Sequence, residues 1–189
     1  MKFFARSIGA LFLDTLQTVV LAAAIFMLTY LFLVQPHEVK GNSMHPNFLD
    51  GERLLTDKAS YRFNEPRRGD VIVFQAPPDH AKDFIKRIIA LPGETISIKG
   101  KKIYVNARLL DEFYLPSLAT TEPGAFLTDG KELILAEDEY IVMGDNRDHS
   151  SDSRSWGPIK RGAIVGKAWF IYWPPQDMGV IPTVTYAGF

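Results

Sequence analysis

Residues 83–94 read DFIKRIIALPGE, a stretch in which a lysine interrupts what is otherwise an apolar β-strand. Successive side chains of a strand point to opposite faces, so Lys86 shares its face with Phe84 and Ile88. Burying an ammonium group is costly, and the usual outcome is a lowered pKa that leaves a neutral amine able to accept a proton. The alternative is a lysine whose stem lies on the sheet while its charged end reaches water. The stretch therefore predicts a β-strand with either a buried amine base or a snorkelling lysine.

Two other polar stretches offer partners for this lysine. Residues 41–46 read GNSMHP, which places Ser43 between a glycine and a proline in a segment that favours a tight turn. Residues 144–154 read GDNRDHSSDSR and directly follow the apolar residues YIVM. Taken singly, the first is typical of a serine bonded to local backbone and the second of a solvated loop. Together with the lysine strand, they favour a site that combines a serine nucleophile with an amine base.

The chain resembles the bacterial type I signal peptidases, which are membrane-anchored serine proteases that remove signal peptides from exported proteins. The resemblance is carried by four segments in the family's order, at residues 41–46, 68–74 (RGDVIVF), 86–94 (KRIIALPGE) and 144–154. It implies that Ser43 is the nucleophile, that Lys86 is the general base, and that Ser150 orients the lysine amine through a hydrogen bond. It also implies that the partners are signal peptides of exported preproteins and the lipid bilayer, and that no cofactor is needed.

Further residues are expected to support this pair. Four charged side chains of the polar run are expected to pair with one another and so to hold the loop of Ser150; they are Asp145, Arg147, Asp152 and Arg154. In the family, positions beside the nucleophile and the base line shallow pockets for small side chains, such as alanine, at the cleavage site and two residues before it. Here those positions are Val39, Met44, Phe48 and Ile85.

The oxyanion region departs from the family pattern. In many members the residue two positions before the nucleophile is a serine whose hydroxyl helps to form the oxyanion hole, whereas this chain has Gly41. The Ser43 backbone N–H remains as one donor, and the sequence leaves the second donor open.

Composition excludes several other classes of function. A formal net charge of −1 argues against a nucleic-acid partner, and the absence of cysteine excludes disulfides and thiolate metal sites. The four histidines have no recognisable ligand spacing, so we expect no metal. A Ser-His-Asp triad using His149 is an alternative to the Ser-Lys pair, but the chain has no GxSxG elbow and the triad leaves Lys86 unexplained.

An uncharged apolar run at residues 15–34 precedes the site. At about 1.5 Å per residue its length is close to the roughly 30 Å of a bilayer core, so we predict one transmembrane helix at 15–35 after a cytoplasmic arm at 1–14. A cleaved signal peptide is the alternative, but no small-residue cleavage motif follows the run. The resemblance implies a cytoplasmic N-terminus and a catalytic domain on the outer face of the cytoplasmic membrane.

After the span the pattern changes to short alternating runs between glycine and proline turns, which predicts a mainly β chain. We predict a β catalytic domain at 36–105 and 139–175, with a small inserted subdomain at 106–138 and a C-terminal tail at 176–189. The resemblance implies that the sheet is coiled. Predicted strands are 38–40, 53–57, 71–75, 84–91, 95–99, 102–105, 139–143 and 163–172.

Two alternatives to a general signal peptidase stay open at this point. One is a related Ser-Lys peptidase with a dedicated secretion or conjugation substrate. The other is a membrane-tethered β domain without catalysis, in which Lys86 reaches water and residues 144–154 form a solvated loop.

Overall fold

The computed structural model describes residues 2–77 and 79–186, and it is mainly β, as predicted. One long helix, α1 (Lys2–Phe32), opens the chain. Its segment Gly9–Tyr30 spans 22 residues with a mean hydropathy of 2.0 and packs against no other part of the described chain. The apolar span therefore begins earlier than the predicted residue 15, because the single charge of Asp14 does not interrupt the helix.

Twelve strands and two short helices follow in the part of the chain that the structure describes. The strands are β1 (Val34–Glu38), β2 (Arg53–Asp57), β3 (Val71–Ala76), β4 (Asp79–Ala90), β5 (Thr95–Lys99), β6 (Lys102–Val105), β7 (Arg108–Leu109), β8 (Leu133–Ile134), β9 (Glu139–Met143), β10 (Ile159–Lys160), β11 (Ile164–Trp173) and β12 (Gly179–Val180). The helices are α2 (Ser60–Phe63) and α3 (Ser153–Trp156). Single turns of 3₁₀ helix lie at Arg147–His149, Arg161–Ala163 and Pro175–Asp177.

The strands form two antiparallel sheets. The larger has the order β1-β2-β11-β3-β4-β9-β10, with β12 added beside β11. The smaller has the order β7-β6-β5-β8. The segment 106–138, which contributes β7 and β8 to the smaller sheet, shares a hydrophobic core with β4 and β9 through Leu110, Leu127 and Leu135.

Strand β3 is buried on both faces, which explains its uninterrupted apolar sequence. Val71 and Val73 face a core cluster that also contains Met44 and Phe48. The alternate residues of β3 face a second cluster on the opposite side of the sheet. The nucleophile loop therefore lies over one face of the sheet centre.

The first predicted strand, at 38–40, is wrong. The strand is β1, which starts at Val34, only two residues after α1 ends, and pairs in register with β2 from Val34↔Asp57 to Glu38↔Arg53. Leu33 and Val34 extend the apolar run of α1, so the sequence gives no sign that the helix has ended. The backbone N–H of Lys58 donates to the Leu33 carbonyl at 2.8 Å, which attaches the end of β2 to the end of the helix.

Candidate active site

Ser43 and Lys86 meet although 43 residues separate them in the chain. Ser43 lies in the loop between β1 and β2, and Lys86 lies within β4. The distance from Lys86 Nζ to Ser43 Oγ is 2.6 Å, and Nζ also donates to the Ile85 carbonyl at 2.9 Å. The pairing of a serine hydroxyl with a lysine amine, predicted from two separate motifs, is present in the structure.

The loop that carries Ser43 is held by hydrogen bonds to its backbone and by apolar side chains buried beneath it. The Val39 carbonyl accepts from the Gly51 N–H at 2.9 Å, and Gly41 N–H donates to Asp50 Oδ1 at 2.6 Å. Two side chains of the loop, Met44 and Phe48, are 0% and 2% exposed in the core cluster underneath. The loop therefore presents Ser43 from a fixed backbone.

Gly41 occupies a conformation that favours glycine. Its φ angle is +83°, in the left-handed region, where a Cβ atom is strained even though the space around it is open. A serine at this position would therefore require a change in the backbone conformation.

Lys86 is buried rather than snorkelling. Only 3% of the residue is exposed, and its Nζ atom lies 5.5 Å from the centre of the Phe84 ring. Burial lowers the pKa of Lys86 to about 8, although the carboxylates of Asp152 and Asp145 act to raise it. At pH 7 about one molecule in ten therefore carries a neutral amine, and the fraction grows with pH.

The charged residues behind this pair do not combine as predicted. Asp145 pairs with Arg87, the neighbour of the lysine, through Nε at 2.9 Å and Nη2 at 2.6 Å. Asn47 of the nucleophile loop donates to the same carboxylate at 2.8 Å. One buried carboxylate therefore joins the serine loop to the lysine strand.

Arg147 also finds its partner outside the polar run. Both Nη atoms of its guanidinium bond to the carboxylate of Glu112, in the segment 106–138, and Nη1 donates to Thr121 Oγ1 at 2.6 Å. Of the predicted pairs, only Asp152 with Arg154 is formed, with Nε to Oδ1 at 2.8 Å. Arg154 also donates to the Arg147 carbonyl at 2.6 Å, which holds the two ends of the loop together.

Ser150 lies beside the pair without the expected hydrogen bond. Its Oγ atom is buried and has no hydrogen-bond partner within residues 2–77 and 79–186. A Cβ atom on Gly144 would collide with both Ser150 Oγ and the Ser43 carbonyl, so both groups pack directly on that glycine. Ser150 is therefore next to the nucleophile loop and holds an unused hydroxyl.

A groove of about 660 Å³ opens onto Ser43 and Lys86; we refer to it as the Ser43 groove. One wall is lined by Pro36, His37, Glu38 and Lys40, and the other by residues 82–86. Of the four predicted pocket residues, Ile85 lines the groove. Val39, Met44 and Phe48 are at most 2% exposed and lie in the core below, because the turn directs them inward.

Comparison with known proteins identifies the family. A family model described as signal peptidase, peptidase S26, matches residues 12–173. Signal peptidase I of Leptolyngbya laminosa is 34% identical over 174 residues, which cover 88% of this chain and 82% of that protein. The chain belongs to the S26 signal peptidase family. Signal peptidase IB of Staphylococcus aureus strain COL is 33% identical over 175 residues, covering 85% of this chain and 91% of that protein.

A crystal structure of a signal peptidase I from Enterococcus faecalis V583 also matches, with a TM-score of 0.47 and 29% identity, over 55% of this chain and 97% of that one. The matched residues 12–173 contain all four sequence segments, so the predicted resemblance is confirmed. Family membership makes the chain a peptidase of the class that cleaves signal peptides.

The structure gives less support to other site chemistries in this chain. His149 is exposed, and its Nδ1 atom lies 3.3 Å from Asn146 Oδ1, whereas the Ser43 hydroxyl is bonded to a lysine. Within residues 2–77 and 79–186, no group of three His, Asp or Glu side chains could hold a metal ion.

Sequence reasoning missed three residues that hold the pair in place. Arg87 lies within the lysine segment, next to Lys86, whereas Asn47 and Glu112 lie outside the four segments; all three bond to the charged side chains described above. The only sequence signal was a second charge directly after Lys86 in an apolar strand, which predicts a buried carboxylate partner without indicating which one.

Proposed function

We propose that this chain is a membrane-bound endopeptidase that removes N-terminal signal peptides from exported preproteins by a Ser-Lys acyl-enzyme mechanism. The observation that carries the proposal is the 2.6 Å separation of Ser43 Oγ from the amine of a lysine that is 3% exposed. A serine hydroxyl needs a base within about 2.6–3.2 Å, and a desolvated amine can act as that base.

The reaction follows from this geometry. The neutral amine of Lys86 accepts the hydroxyl proton of Ser43 as Oγ attacks the scissile carbonyl carbon. The tetrahedral intermediate collapses when the Lys86 ammonium returns that proton to the leaving nitrogen, which becomes the N-terminus of the mature protein. The signal peptide stays as an ester on Ser43 until water, deprotonated by Lys86, hydrolyses it.

Neighbouring groups have distinct supporting roles in this scheme. The Ser43 backbone N–H donates one hydrogen bond to the oxyanion. Gly41, with its positive φ angle, sets the backbone conformation two residues before Ser43. The Ser150 hydroxyl, which is buried without a partner in the described residues, is proposed to turn toward the Lys86 amine and orient it during turnover. The pairs Asp145–Arg87 and Asp152–Arg154 keep the loop of Ser150 and the lysine strand in register.

An extended peptide fits the Ser43 groove. Among the described residues, strand β1 is at the end of the larger sheet, and residues 83–86 of β4 pair with β3 alone, since β9 pairs with β4 from Arg87 onward. Both walls of the groove therefore carry unpaired strand edges. Such edges bind extended peptides through main-chain hydrogen bonds.

The helix α1 is proposed to anchor the enzyme in the cytoplasmic membrane, with its N-terminus in the cytoplasm and the β domain on the outer face. Its 22-residue apolar segment is about 33 Å long, enough to cross a bilayer core. Only Leu33 separates α1 from β1, and β1 extends about 17 Å. The Ser43 groove is thus held near the surface where a signal peptide leaves the membrane.

We expect the acyl-enzyme to be trapped on Ser43. Acid denaturation of the purified protein during preprotein turnover, followed by peptide mass spectrometry, should reveal the C-terminal part of the signal peptide as an ester on the peptide that contains Ser43. N-terminal sequencing of the released product gives the cleavage site. Absence of cleavage, or an adduct on another residue, would contradict the proposal.

We also expect the rate to rise with pH. Because burial lowers the pKa of Lys86 to about 8, the neutral amine increases about tenfold per pH unit below that value and levels off above it. At pH 7 the value of kcat/KM should be about one tenth of its alkaline plateau. Initial rates on one peptide from pH 6 to 10 measure this, and a profile that is flat over the range would exclude a lysine base.

A further inference from the structure

Tyr114 lies outside the four sequence segments but contacts three parts of the site. The Cζ atom of Arg87 lies over its ring, 4.1 Å from the ring centre. Its backbone carbonyl accepts from Asn47 Nδ2 at 3.0 Å. Its hydroxyl donates to Glu112 Oε1 at 2.6 Å, on the carboxylate that also binds Arg147. This one residue therefore connects the lysine strand, the serine loop and, through Glu112, the loop after β9.

The Arg87 guanidinium is held from several directions. It is buried, and its Nε and Nη2 atoms donate to Asp145 while Nη1 donates to the Gly69 carbonyl at 2.9 Å. These bonds use N–H groups in the plane of the guanidinium, and the Tyr114 ring contacts the group at its central carbon. An aromatic ring attracts a cation placed over it, and more strongly where water is excluded. The ring thus helps to fix the residue next to Lys86 in β4.

The backbone of Tyr114 binds the serine loop independently of its side chain. Asn47, four residues after Ser43, has two N–H groups on its side-chain amide, and these donate to Asp145 Oδ2 and to the Tyr114 carbonyl. A change of the Tyr114 side chain keeps that carbonyl. Such a change therefore tests the ring without removing the bond to Asn47.

We infer that Tyr114 is a positioning residue, whose ring holds the Arg87 guanidinium and thereby keeps the Lys86 amine within reach of the Ser43 hydroxyl. This inference rests on the proposed function, because it assumes that proton transfer between these two groups starts the reaction. The described residues that line the Ser43 groove do not include Tyr114. Loss of the ring should therefore lower kcat while KM stays close to the wild-type value.

Loss of the ring would also admit water to the buried ion pair. A cavity of about 310 Å³ borders Asn47, Arg87 and Tyr114. Without the ring, water from this cavity reaches the pair of Arg87 with Asp145, and the attraction between two charges weakens in a more polar surrounding. The link between the serine loop and the lysine strand then loosens, without any change in the two reacting side chains.

Two substitutions at position 114 separate the ring from the hydroxyl. Tyr114→Leu removes the ring, and we expect kcat to fall about 10- to 100-fold, the cost of a small misplacement of reacting groups, with KM unchanged within about twofold. Tyr114→Phe keeps the ring, and Glu112 still bonds Arg147 directly, so kcat should stay within about threefold of the wild type. Steady-state kinetics on one peptide that spans a signal-peptide cleavage site, with the full-length protein in detergent, measure both constants.

A double-mutant cycle tests whether the ring acts through Arg87. Arg87→Lys keeps a positive charge beside Asp145 but removes the planar guanidinium, and it should lower kcat by itself. In that background Tyr114→Leu should cost less than about threefold more, because the effects of residues that act through one another are not additive. A full additional loss of about 10- to 100-fold would show that the ring acts by another route, and it would overturn the inference.

Tyr104→Leu is the matched control, since Tyr104 is a half-buried tyrosine of β6 that lies opposite Leu109 in the smaller sheet. It should leave kcat unchanged even if it lowers the thermal unfolding midpoint. If it lowers kcat as much as Tyr114→Leu does, the effect is general destabilisation and the positioning role is wrong.

The remaining outcomes also decide the question. Wild-type kcat in Tyr114→Leu, or an equal loss in Tyr114→Phe, would overturn the role of the ring and leave the proposed function standing. If the wild type cleaves no peptide, or Ser43→Ala cleaves it equally fast, the proposed function fails and the inference fails with it. If Tyr114→Leu does not fold, Tyr114→Met, a flexible side chain that fills the space without a ring, takes its place with the same expected result.

Discussion

Ser43→Ala is expected to reduce preprotein cleavage by about 10⁴- to 10⁶-fold, the loss that follows removal of the nucleophile in serine proteases. The change should leave the fold intact. Ser43 Oγ has one hydrogen-bond partner within the described residues, Lys86, and the loop is held by its backbone and by buried apolar side chains. The loss should therefore appear in kcat, with little change in the thermal unfolding midpoint.

The measurement is cleavage of a preprotein by purified protein in liposomes, with signal-peptide release quantified over time. Ser117→Ala is a matched control, because Ser117 is exposed in the segment 106–138 and lies outside the Ser43 groove. It should keep wild-type activity. Undiminished cleavage by the Ser43 variant would remove the central claim about the mechanism and leave only membership of the peptidase family.

Strand positions were predictable wherever side chains alternate between turn residues. β2, β5, β6 and β9 have the predicted bounds. Gly100 and Lys101 both have positive φ angles and close the β5–β6 hairpin, with Lys99 opposite Lys102, as the two-residue turn predicts. Local patterns sufficed because each of these elements is specified by its own residues.

Strand β4 is longer than its sequence indicates. The prediction began at residue 84, but the strand starts at Asp79, through residues with no apolar alternation. β3 supplies the reason, because its register pairs Gln75 with Asp83 and Ala76 with Asp79. Pairing with a neighbour extends the strand beyond what its own side chains specify, and Lys82 and Asp83 of this extension line the groove.

Charge partners could not be read from the sequence because they depend on the order of strands in the sheet. β9 lies beside β4 with Met143 opposite Arg87, so Asp145, two residues further on, reaches that guanidinium. The sequence-based prediction instead paired Asp145 with a charged residue of its own segment, 144–154. The partner of Arg147, Glu112, lies in a segment whose irregular pattern gives no position in space. The Ser-Lys pair could be predicted from the sequence because the lysine interrupts the apolar pattern of its strand.

Lys86→Arg is expected to be as inactive as Lys86→Ala, with kcat/KM lower by about 10²- to 10⁴-fold, the contribution of a general base. A guanidinium has a pKa above about 12 and cannot accept a proton at working pH, even though it keeps the positive charge. Lys160→Arg is the matched control, since Lys160 is exposed and pairs with Asp138 and Glu139 away from the groove. It should retain full activity.

Chemical rescue distinguishes a base from an electrostatic partner at Lys86. Lys86→Ala leaves an apolar space beside Ser43, so a small primary amine such as methylamine should restore part of the rate, increasingly as pH rises and the neutral amine accumulates. Lys86→Arg fills the same space and should not respond. Because the site is buried, rescue should saturate with amine concentration and decline for bulkier amines. Removal of a general base costs at least about a hundredfold in rate. Activity of the arginine variant within about tenfold of the wild type would therefore show that a positive charge near Ser43 is sufficient.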